Sequence, residues 1–504
     1  MLTTLAAPAF AGTWYIEDGD ITVTAGETEG TNTVSQGANQ EVEDTDTIIK
    51  NREDTASSNT VTIDAEKKDD KVEVTLKDVN IDTSSRNKAA VSVTGSGNTT
   101  IKLDGDNHLT GGNGSSGISS SGSLTITGGE TDSLTAKGGS GEDGGDGIFS
   151  KDLTISGGTV TATGGDSTGS DGSGSYGIFS TNTTTISGGT VTATGGDSTG
   201  SYSSGGYGIY SSGVTSSGGT VTANGGSGKD GSGDGIFSFD PVAISGGTVT
   251  AKGGSGEDGS GGRGIISTKS VTISGGTVNA NGGSGQNGNG GSGIIGSGRV
   301  AVSGGTVEAA GGNGSTGGGD GIYSSDIDLS GSLELTAKAG SPNGKALSQR
   351  GNELDLNTIK DKLGPGAKVT VTDADGKVID QVPIPRPVEP EESSSSSDGG
   401  SAAPSAPVSS LPGLTVTDKD GQRISYTSTQ SGNTLTVCVG RLTASFRISL
   451  AALRQLRAEG IETITFQTIL CSTTLSVDEL LAMGGEDAEA VLTHRFTDSS
   501  LTVG

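Results

Sequence analysis

The chain has 504 residues, of which 29% are hydrophobic and 3% aromatic; it contains 92 glycines and carries a net charge of −28. So few apolar residues exclude one large globular core, and so strong a negative charge makes nucleic acids and anionic membrane surfaces poor partners. A repetitive chain can still fold on this composition, because the core of a solenoid is narrow and grows unit by unit.

Residues 1–11 are typical of the end of an export signal. They finish on Ala9-Phe10-Ala11, a small-x-small pattern after a short apolar run, although no lysine or arginine precedes it. An ordinary apolar N-terminus is the alternative. No later segment has the roughly 18 consecutive apolar residues of a membrane span. We therefore expect an extracellular protein, secreted or at the cell surface, with no membrane insertion. Residues 12–71, which hold the only tryptophan, are predicted to form an N-terminal cap.

Residues 72–340 are built on a repeat. The phrase "LTISGGTVTATGG" (residues 153–165) recurs with its glycine pairs 28 to 31 residues apart. Each period holds three short runs that alternate at period 2, as strands with one buried face do. The inward residues of the first run form the column Ile148, Ile178, Ile209, Ile236, Ile265, Ile294 and Ile322. The pattern predicts an all-β fold, a right-handed parallel β-helix of about ten coils spaced ~4.8 Å apart.

The residue after each inward isoleucine points outward and forms an apolar stripe. Five of its seven members are aromatic, and they are the candidate ligand-binding residues Phe149, Phe179, Tyr210, Phe237 and Tyr323. Aromatic faces offer sugar rings a large apolar area with little conformational freedom to lose. The sequence leaves open whether the glycine-rich loops fold over this stripe and bury it.

The glycine-rich segments between the repeated phrases carry carboxylates that could bind Ca²⁺, a cation that takes oxygen ligands from loops. The candidate metal ligands are Glu142, Asp143, Asp146, Asp230, Asp234, Glu257 and Asp258. The nine-residue period of a calcium β-roll is absent, so solvated turns are the alternative. His108, the only histidine of the repeat region, is predicted to lie in a turn, and no pair of catalytic groups is evident. We expect no enzymatic activity.

The chain changes character after the repeat. Residues 341–382 are predicted to form a C-terminal cap with a short helix near "LNTIKDKLG" and a hairpin at "VTVTDADGKVID". Residues 383–412 are a Pro/Ser-rich linker. Residues 413–504 are predicted to form a small α+β module with helices at "SLAALRQLRAEG" and "VDELLAMGG", the second opened by a capping box at Ser476. Cys438 and Cys471 are either a disulfide or two buried thiols.

The stretch from about 60 to 340 resembles the carbohydrate-binding β-helix domain of bacterial extracellular proteins, through the segments "VTLKDVNI", "IKLDGDNHLTG", "SGSLTITGG" and "GIFSKDLTISGGTVTATGG". That family is similar to a pectate-lyase rod without lyase activity. The resemblance implies plant cell-wall polysaccharides, cellulose-like or pectin-like, as partners and calcium as a bound ion. We expect an exported, monomeric, non-catalytic carbohydrate-binding protein. A structural or adhesive stalk that presents the C-terminal module is the alternative.

Overall fold

The computed structural model describes residues 11–170, 172–382 and, with short gaps, 413–503. Strands make up 52% of the protein and helices 5%. The chain divides into two compact units, Met1–Pro390 and Glu391–Gly504. The predicted linker of residues 383–412, and all but the last residue of the predicted export signal, lie outside the described residues.

The first unit is a parallel β-solenoid with three sheets. The first sheet comprises Ile21–Ala25, Val61–Ala65, Val91–Gly95, Ile118–Ser120, Ile148–Ser150, Ile178–Ile186, Ile209–Ser216, Ile236–Ser238, Ile265–Ser267, Ile294–Gly296, Ile322–Ser324 and Leu347–Gln349. The second comprises Thr13–Tyr15, Thr47–Lys50, Lys71–Lys77, Asn98–Asp104, Ser123–Thr127, Asp152–Ile155, Val242–Ile244 and Ser270–Ile273, together with the far ends of Ile178–Ile186 and Ile209–Ser216 and the starts of Arg299–Ala310 and Ile327–Lys338. The third comprises Asn80–Asp82, Asp106–Asn113, Ser133–Gly139, Thr159–Thr163, Thr190–Thr194, Thr220–Asn224, Thr248–Lys252, Thr277–Asn281, the far ends of Arg299–Ala310 and Ile327–Lys338, and Lys368–Thr372.

The predicted inward columns are confirmed. Ile148 pairs in parallel register with Ile178, which pairs with Ile209, and all three are fully buried. Val160 and Ala162 belong to equivalent columns in the third sheet, where they pair with Val191 and Ala193. Like side chains therefore stack on like along the axis, and each fully buried isoleucine or valine contributes about 1.5–3 kcal/mol relative to leaving it exposed.

The predicted number of coils is wrong, because the solenoid has about 13 turns rather than ten. The additional turns lie at both ends of the predicted range. Before residue 72, Thr13–Tyr15 pairs in parallel with Thr47–Lys50, and Ile21–Ala25 with Val61–Ala65. After residue 340, Leu347–Gln349 and Lys368–Thr372 continue the parallel pairing of the first and third sheets. These turns lack the repeated glycine-pair phrase and are separated by irregular connections, so their period cannot be recognised in the sequence. The antiparallel strands Asn32–Gln36 and Asn39–Asp44 lie at the N-terminal end of the solenoid.

Two kinds of corner connect the three sheets. Between the second and third sheets the chain turns at the glycine pair, whose second member takes a left-handed conformation, as at Gly158 with φ of 77°. Between the first and second sheets a buried serine turns the chain with its own hydroxyl. The Oγ of Ser150 donates to the carbonyl of Asp152 at 2.6 Å, and that of Ser238 to Asp240 at 2.8 Å. This serine column is a further element of the repeat.

The glycine-rich segments between the third and first sheets are hydrogen-bonded from coil to coil, although the sequence favours flexible loops here. The outgoing and returning legs alternate along the axis: Gly206 N donates to Gly196 O at 2.8 Å, and Gly226 N to Gly206 O at 2.8 Å. A Cβ at Gly226 would lie 2.1 Å from Gly196 O. Only glycine allows legs to approach so closely, as at the axis of collagen. We call this layer the glycine layer.

The C-terminal end of the solenoid is closed as the sequence predicts in outline. The predicted short helix is two turns of 3-10 helix, Leu356–Thr358 and Lys360–Lys362, the first capped by Asp355. The predicted hairpin is present, with Lys368–Thr372 antiparallel to Val378–Val382. A two-residue strand, Asn352–Glu353, also folds back on Leu347–Gln349.

The second unit is a β-rich module with its own hydrophobic core. One sheet holds Leu414–Thr417, Ala444–Ser449, Glu489–His494 and Ser499–Val503; the other holds Thr427–Ser431, Thr434–Cys438, Thr463–Gln467 and Ser472–Ser476. Both predicted helices are present, Leu450–Ala458 and Val477–Ala482, with Ser449 and Ser476 as N-caps. In the described part of the chain no helix is long and apolar enough to cross a membrane.

The cysteine prediction concerns one described residue only. Cys438 is partly exposed, and its thiol donates to the side-chain oxygen of Gln467 at 3.4 Å. Cys471 lies outside the described residues, so the predicted pairing stays a prediction.

Candidate functional site

The apolar stripe lies in unbroken register along the outer face of the first sheet. Seven paired positions run from Phe149 to Tyr323, and serines precede and follow them at Ser119 and Ser348. Six steps of ~4.8 Å give the stripe a length of about 29 Å. The fold thus places the predicted ligand-binding residues on one straight line parallel to the solenoid axis.

Four of these residues belong to a larger cluster of rings, which we call the aromatic patch. It consists of Phe149, Tyr176, Phe179, Tyr207, Tyr210, Phe237 and Phe239. The rings of Tyr176, Tyr207, Tyr210 and Phe237 are nearly parallel, with centroids 4.9–5.5 Å apart where they touch. Phe149, Phe179 and Phe239 meet their neighbours edge to face. Such pairs stabilise by about 0.5–1.5 kcal/mol each beyond burial, so the patch is rigid.

Solvent reaches every ring of the patch. The residues from Phe149 to Phe237 are partly buried against one another, and Phe239 is 46% exposed. The glycine-rich legs therefore do not cover the stripe. Tyr323 is 38% exposed and makes no ring contact with the patch, because Ile266 and Ile295 separate it from Phe237. It extends the stripe but is not part of the aromatic patch.

Three patch residues are absent from the sequence prediction. Tyr176 and Tyr207 occupy the position directly before the glycine that precedes each inward isoleucine, in "SYGIF" and "GYGIY". Phe239 follows Phe237 by two residues, at the serine corner. The sequence does hold a signal for these three residues. Aromatic residues just before or just after the same strand lie close together when they occur in neighbouring coils of a parallel register. Alternation alone does not show it, because these residues lie outside the regular strand pattern.

Two aspartates occupy the same column as Tyr176 and Tyr207, one on each side of them. Asp146 precedes Tyr176 by one coil, and its Oδ1 accepts from Tyr176 N at 2.9 Å. Asp234 follows Tyr207 by one coil; its Oδ1 accepts from Arg263 N at 2.6 Å, and its Oδ2 lies 3.6 Å from the Arg263 guanidinium. Burial raises the pKa of both carboxyls to about 6.

The tyrosine hydroxyls of the patch are neutral over the whole physiological range. Burial, reinforced by Tyr207, Tyr210 and Asp146, raises the pKa of Tyr176 to about 12. Burial also raises the pKa of Tyr207 and of Tyr210. A neutral phenol both donates and accepts a hydrogen bond, so the patch combines apolar ring area with polar atoms suited to sugar hydroxyls.

The seven candidate calcium ligands are dispersed. Asp146 and Asp234 hold backbone amides of the next coil, as described above. Glu142, Asp143, Asp230, Glu257 and Asp258 are exposed, and Asp258 contacts Asn287 at 3.0 Å and Lys229 at 3.9 Å. Among the described residues no three Asp, Glu, His or Cys side chains converge as a metal site requires. This arrangement does not fit the six to eight oxygen ligands of Ca²⁺.

Two polar grooves lie elsewhere on the solenoid. One, of about 530 Å³, follows the tips of the glycine-rich loops and is lined by Asp197, Thr199, Lys229, Glu257 and Gln286 among others. The other, of about 500 Å³, includes Arg52, Asp78, Asp106 and His108. His108 lies on the strand Asp106–Asn113 and is exposed, not in a turn as predicted. Neither groove is lined by a phenylalanine, tyrosine or tryptophan.

The geometry therefore singles out one surface, a straight apolar stripe whose first four coils carry the aromatic patch. Comparison of the chain with protein families, with curated proteins and with solved structures gave no significant match.

Proposed function

We propose that the protein is an exported, non-catalytic polysaccharide-binding protein and that the apolar stripe, centred on the aromatic patch, is its binding surface. The observation that carries the proposal is the continuous register of seven outward apolar residues, five of them aromatic, along one edge of the solenoid. A narrow, straight surface about 29 Å long suits an extended polymer better than a compact ligand.

The chemistry of the patch supports a carbohydrate. Rings that are already packed together lose little conformational freedom when a ligand covers them, and neutral tyrosine hydroxyls lie within the same cluster. Apolar faces beside a few polar groups are typical of small-molecule and sugar sites. The resemblance to carbohydrate-binding β-helix domains points the same way.

The test is binding of the full-length protein to insoluble cellulose. Replacing Tyr210 and Phe237 together with alanine is expected to weaken binding by about 1–3 kcal/mol, the scale of two lost aromatic contacts. Tyr202→Ala is the matched control, because Tyr202 is 74% exposed on a loop tip and is outside the patch. Both variants should keep the solenoid folded, since none of the three side chains enters its core. Equal cellulose binding by the double variant and the parent would contradict the proposal.

A structural or adhesive stalk is the second candidate. The observation in its favour is that the solenoid and the C-terminal module have separate hydrophobic cores. A stalk would show no glycan binding, and adhesion of particles coated with the full chain would be lost when residues 413–504 are deleted.

A further inference from the structure

We propose that the aromatic patch selects uncharged polysaccharide chains and rejects polyuronates, because carboxylates border the patch at both ends. This inference rests on the proposed function and names the chemical class of its ligand. It separates the two kinds of cell-wall polysaccharide, cellulose-like and pectin-like, that the resemblance implies together.

Charge is distributed unevenly along the solenoid. Residues 140–240, the coils that carry the aromatic patch, contain ten acidic residues and two lysines. Residues 241–349, which carry Ile266, Ile295 and Tyr323, contain seven acidic and six basic residues. The coils that hold the rings are therefore the more strongly acidic part of this region of the solenoid.

Two carboxylates lie in the same column as the rings. Asp146 and Asp234 flank Tyr176 and Tyr207, one coil away on either side. Arg263 partly neutralises Asp234, with 3.6 Å between the charged groups, whereas no cation pairs with Asp146 within the described chain. The raised pKa of Asp146 shows how poorly solvent compensates this charge.

Exposed carboxylates extend this border. Glu142 and Asp143 lie in the bend of the loop that leads into Asp146, and Asp240 directly follows Phe239. Of the two lysines in this part of the chain, Lys229 contacts Asp258 at 3.9 Å, while Lys151 is exposed. A ligand lying on the patch thus meets carboxylates at both ends and only one unpaired ammonium group.

The carboxylates do not repel an uncharged polysaccharide chain, because its hydroxyls can hydrogen-bond both to carboxylates and to tyrosine hydroxyls. A polyuronate carries one carboxylate on each sugar and would place several of them along the acidic border. Like charges that meet at an interface disfavour the wrong partner strongly, and the effect weakens as salt screens exposed charges.

The experiment compares two oligosaccharides of equal length, cellohexaose and hexagalacturonate, by calorimetric titration into the full-length protein. At low salt we expect hexagalacturonate to bind at least about tenfold more weakly than cellohexaose, and high salt should narrow the difference. The variant Glu142→Gln/Asp143→Asn/Asp240→Asn removes three exposed charges and should narrow the difference as well, because the affinity for hexagalacturonate should rise more than the affinity for cellohexaose changes. Glu257→Gln/Asp258→Asn removes charges from the next coil and serves as the matched control.

The outcomes separate the inference from the proposed function. Hexagalacturonate that binds as tightly as cellohexaose at low salt overturns the inference while the proposed function stands. A preference for cellohexaose that neither salt nor the triple variant changes also overturns it, because the carboxylates would then not be the cause. If neither oligosaccharide binds, the proposed function fails and the inference fails with it.

Discussion

Asp146 is expected to destabilise the solenoid at neutral pH, and Asp146→Asn should therefore stabilise it. The carboxyl has a pKa of about 6 in the folded protein and 3.8 when unperturbed. Two pKa units correspond to about 3 kcal/mol. Asparagine retains an oxygen that can accept from Tyr176 N, so the main change is the loss of a poorly solvated charge. Because Asp146 keeps some contact with solvent, the gain should be about 1–3 kcal/mol at pH 7.5.

The sign of the pH dependence follows from the raised pKa. Below about pH 4 the carboxyl is protonated in both folded and unfolded chains, so charge costs no stability there. As pH rises through 4 to 6 the unfolded chain loses its proton first, and the folded state becomes relatively less stable until the folded carboxyl also ionises. The advantage of Asp146→Asn should therefore grow between pH 4 and pH 6 and stay constant above it.

Urea unfolding of the full chain, followed through the fluorescence of Trp14, measures this effect. Trp14 is the only tryptophan and is buried in the first turn of the solenoid, so its signal reports on the solenoid and not on the C-terminal module. Asp143→Asn, three residues earlier and exposed, is the control and should change little. Destabilisation by Asp146→Asn at pH 7.5, or the same effect at pH 4 and pH 7.5, would refute the reasoning.

Two further predictions concern the glycine layer and the C-terminal module. Gly226→Ala should destabilise the solenoid by about 2 kcal/mol or more, because its Cβ would meet backbone 2.1 Å away, whereas Gly213→Ala, with no atom nearer than 3.6 Å, should be tolerated in the same urea assay. Equal midpoints for the two variants would argue against the close packing. In the C-terminal module His494 is buried, with its Nε2 2.9 Å from Thr473 Oγ1 and no hydrogen-bond partner for its Nδ1. Burial lowers the pKa of this histidine from 6.5. The free energy of unfolding of the module should therefore be highest above pH 6.5 and fall progressively below it, since the unfolded chain takes up the proton first. Calorimetry of the module's unfolding transition should show a smaller loss in His494→Leu.

The sequence predicts the solenoid well because its geometry is linear. A parallel register converts a period of about 29 residues directly into columns, so Ile148, Ile178 and Ile209 could be assigned to one ladder before any coordinates were known. The first turns of the solenoid were not recognised in the sequence, because their connections are irregular in length. No period links Thr13–Tyr15 to Thr47–Lys50, although the two strands pair as regularly as later ones.

The site could be predicted only in part. Alternation indicates that Phe149 and Tyr210 face outward, but it gives no position for Tyr176 or Phe239, which join the patch through the corners of the coil. The acidic loops show the same limit. Asp143 and Asp146 look alike in sequence, yet one is exposed and the other holds a backbone amide of the next coil, because the returning leg of the loop is ordered by the glycine layer.

The glycine layer also determines how such a rod can change in length. Each leg donates to one neighbouring leg and accepts from another, as Gly206 donates to Gly196 of its own loop and accepts from Gly226 of the next loop. Shortening a single loop would leave amides and carbonyls of both neighbours without partners, which is costly for buried backbone groups. Removing or duplicating a complete period leaves every such bond with an equivalent partner. The rod is therefore free to vary in steps of one coil, about 4.8 Å, and the length of the apolar stripe varies with it.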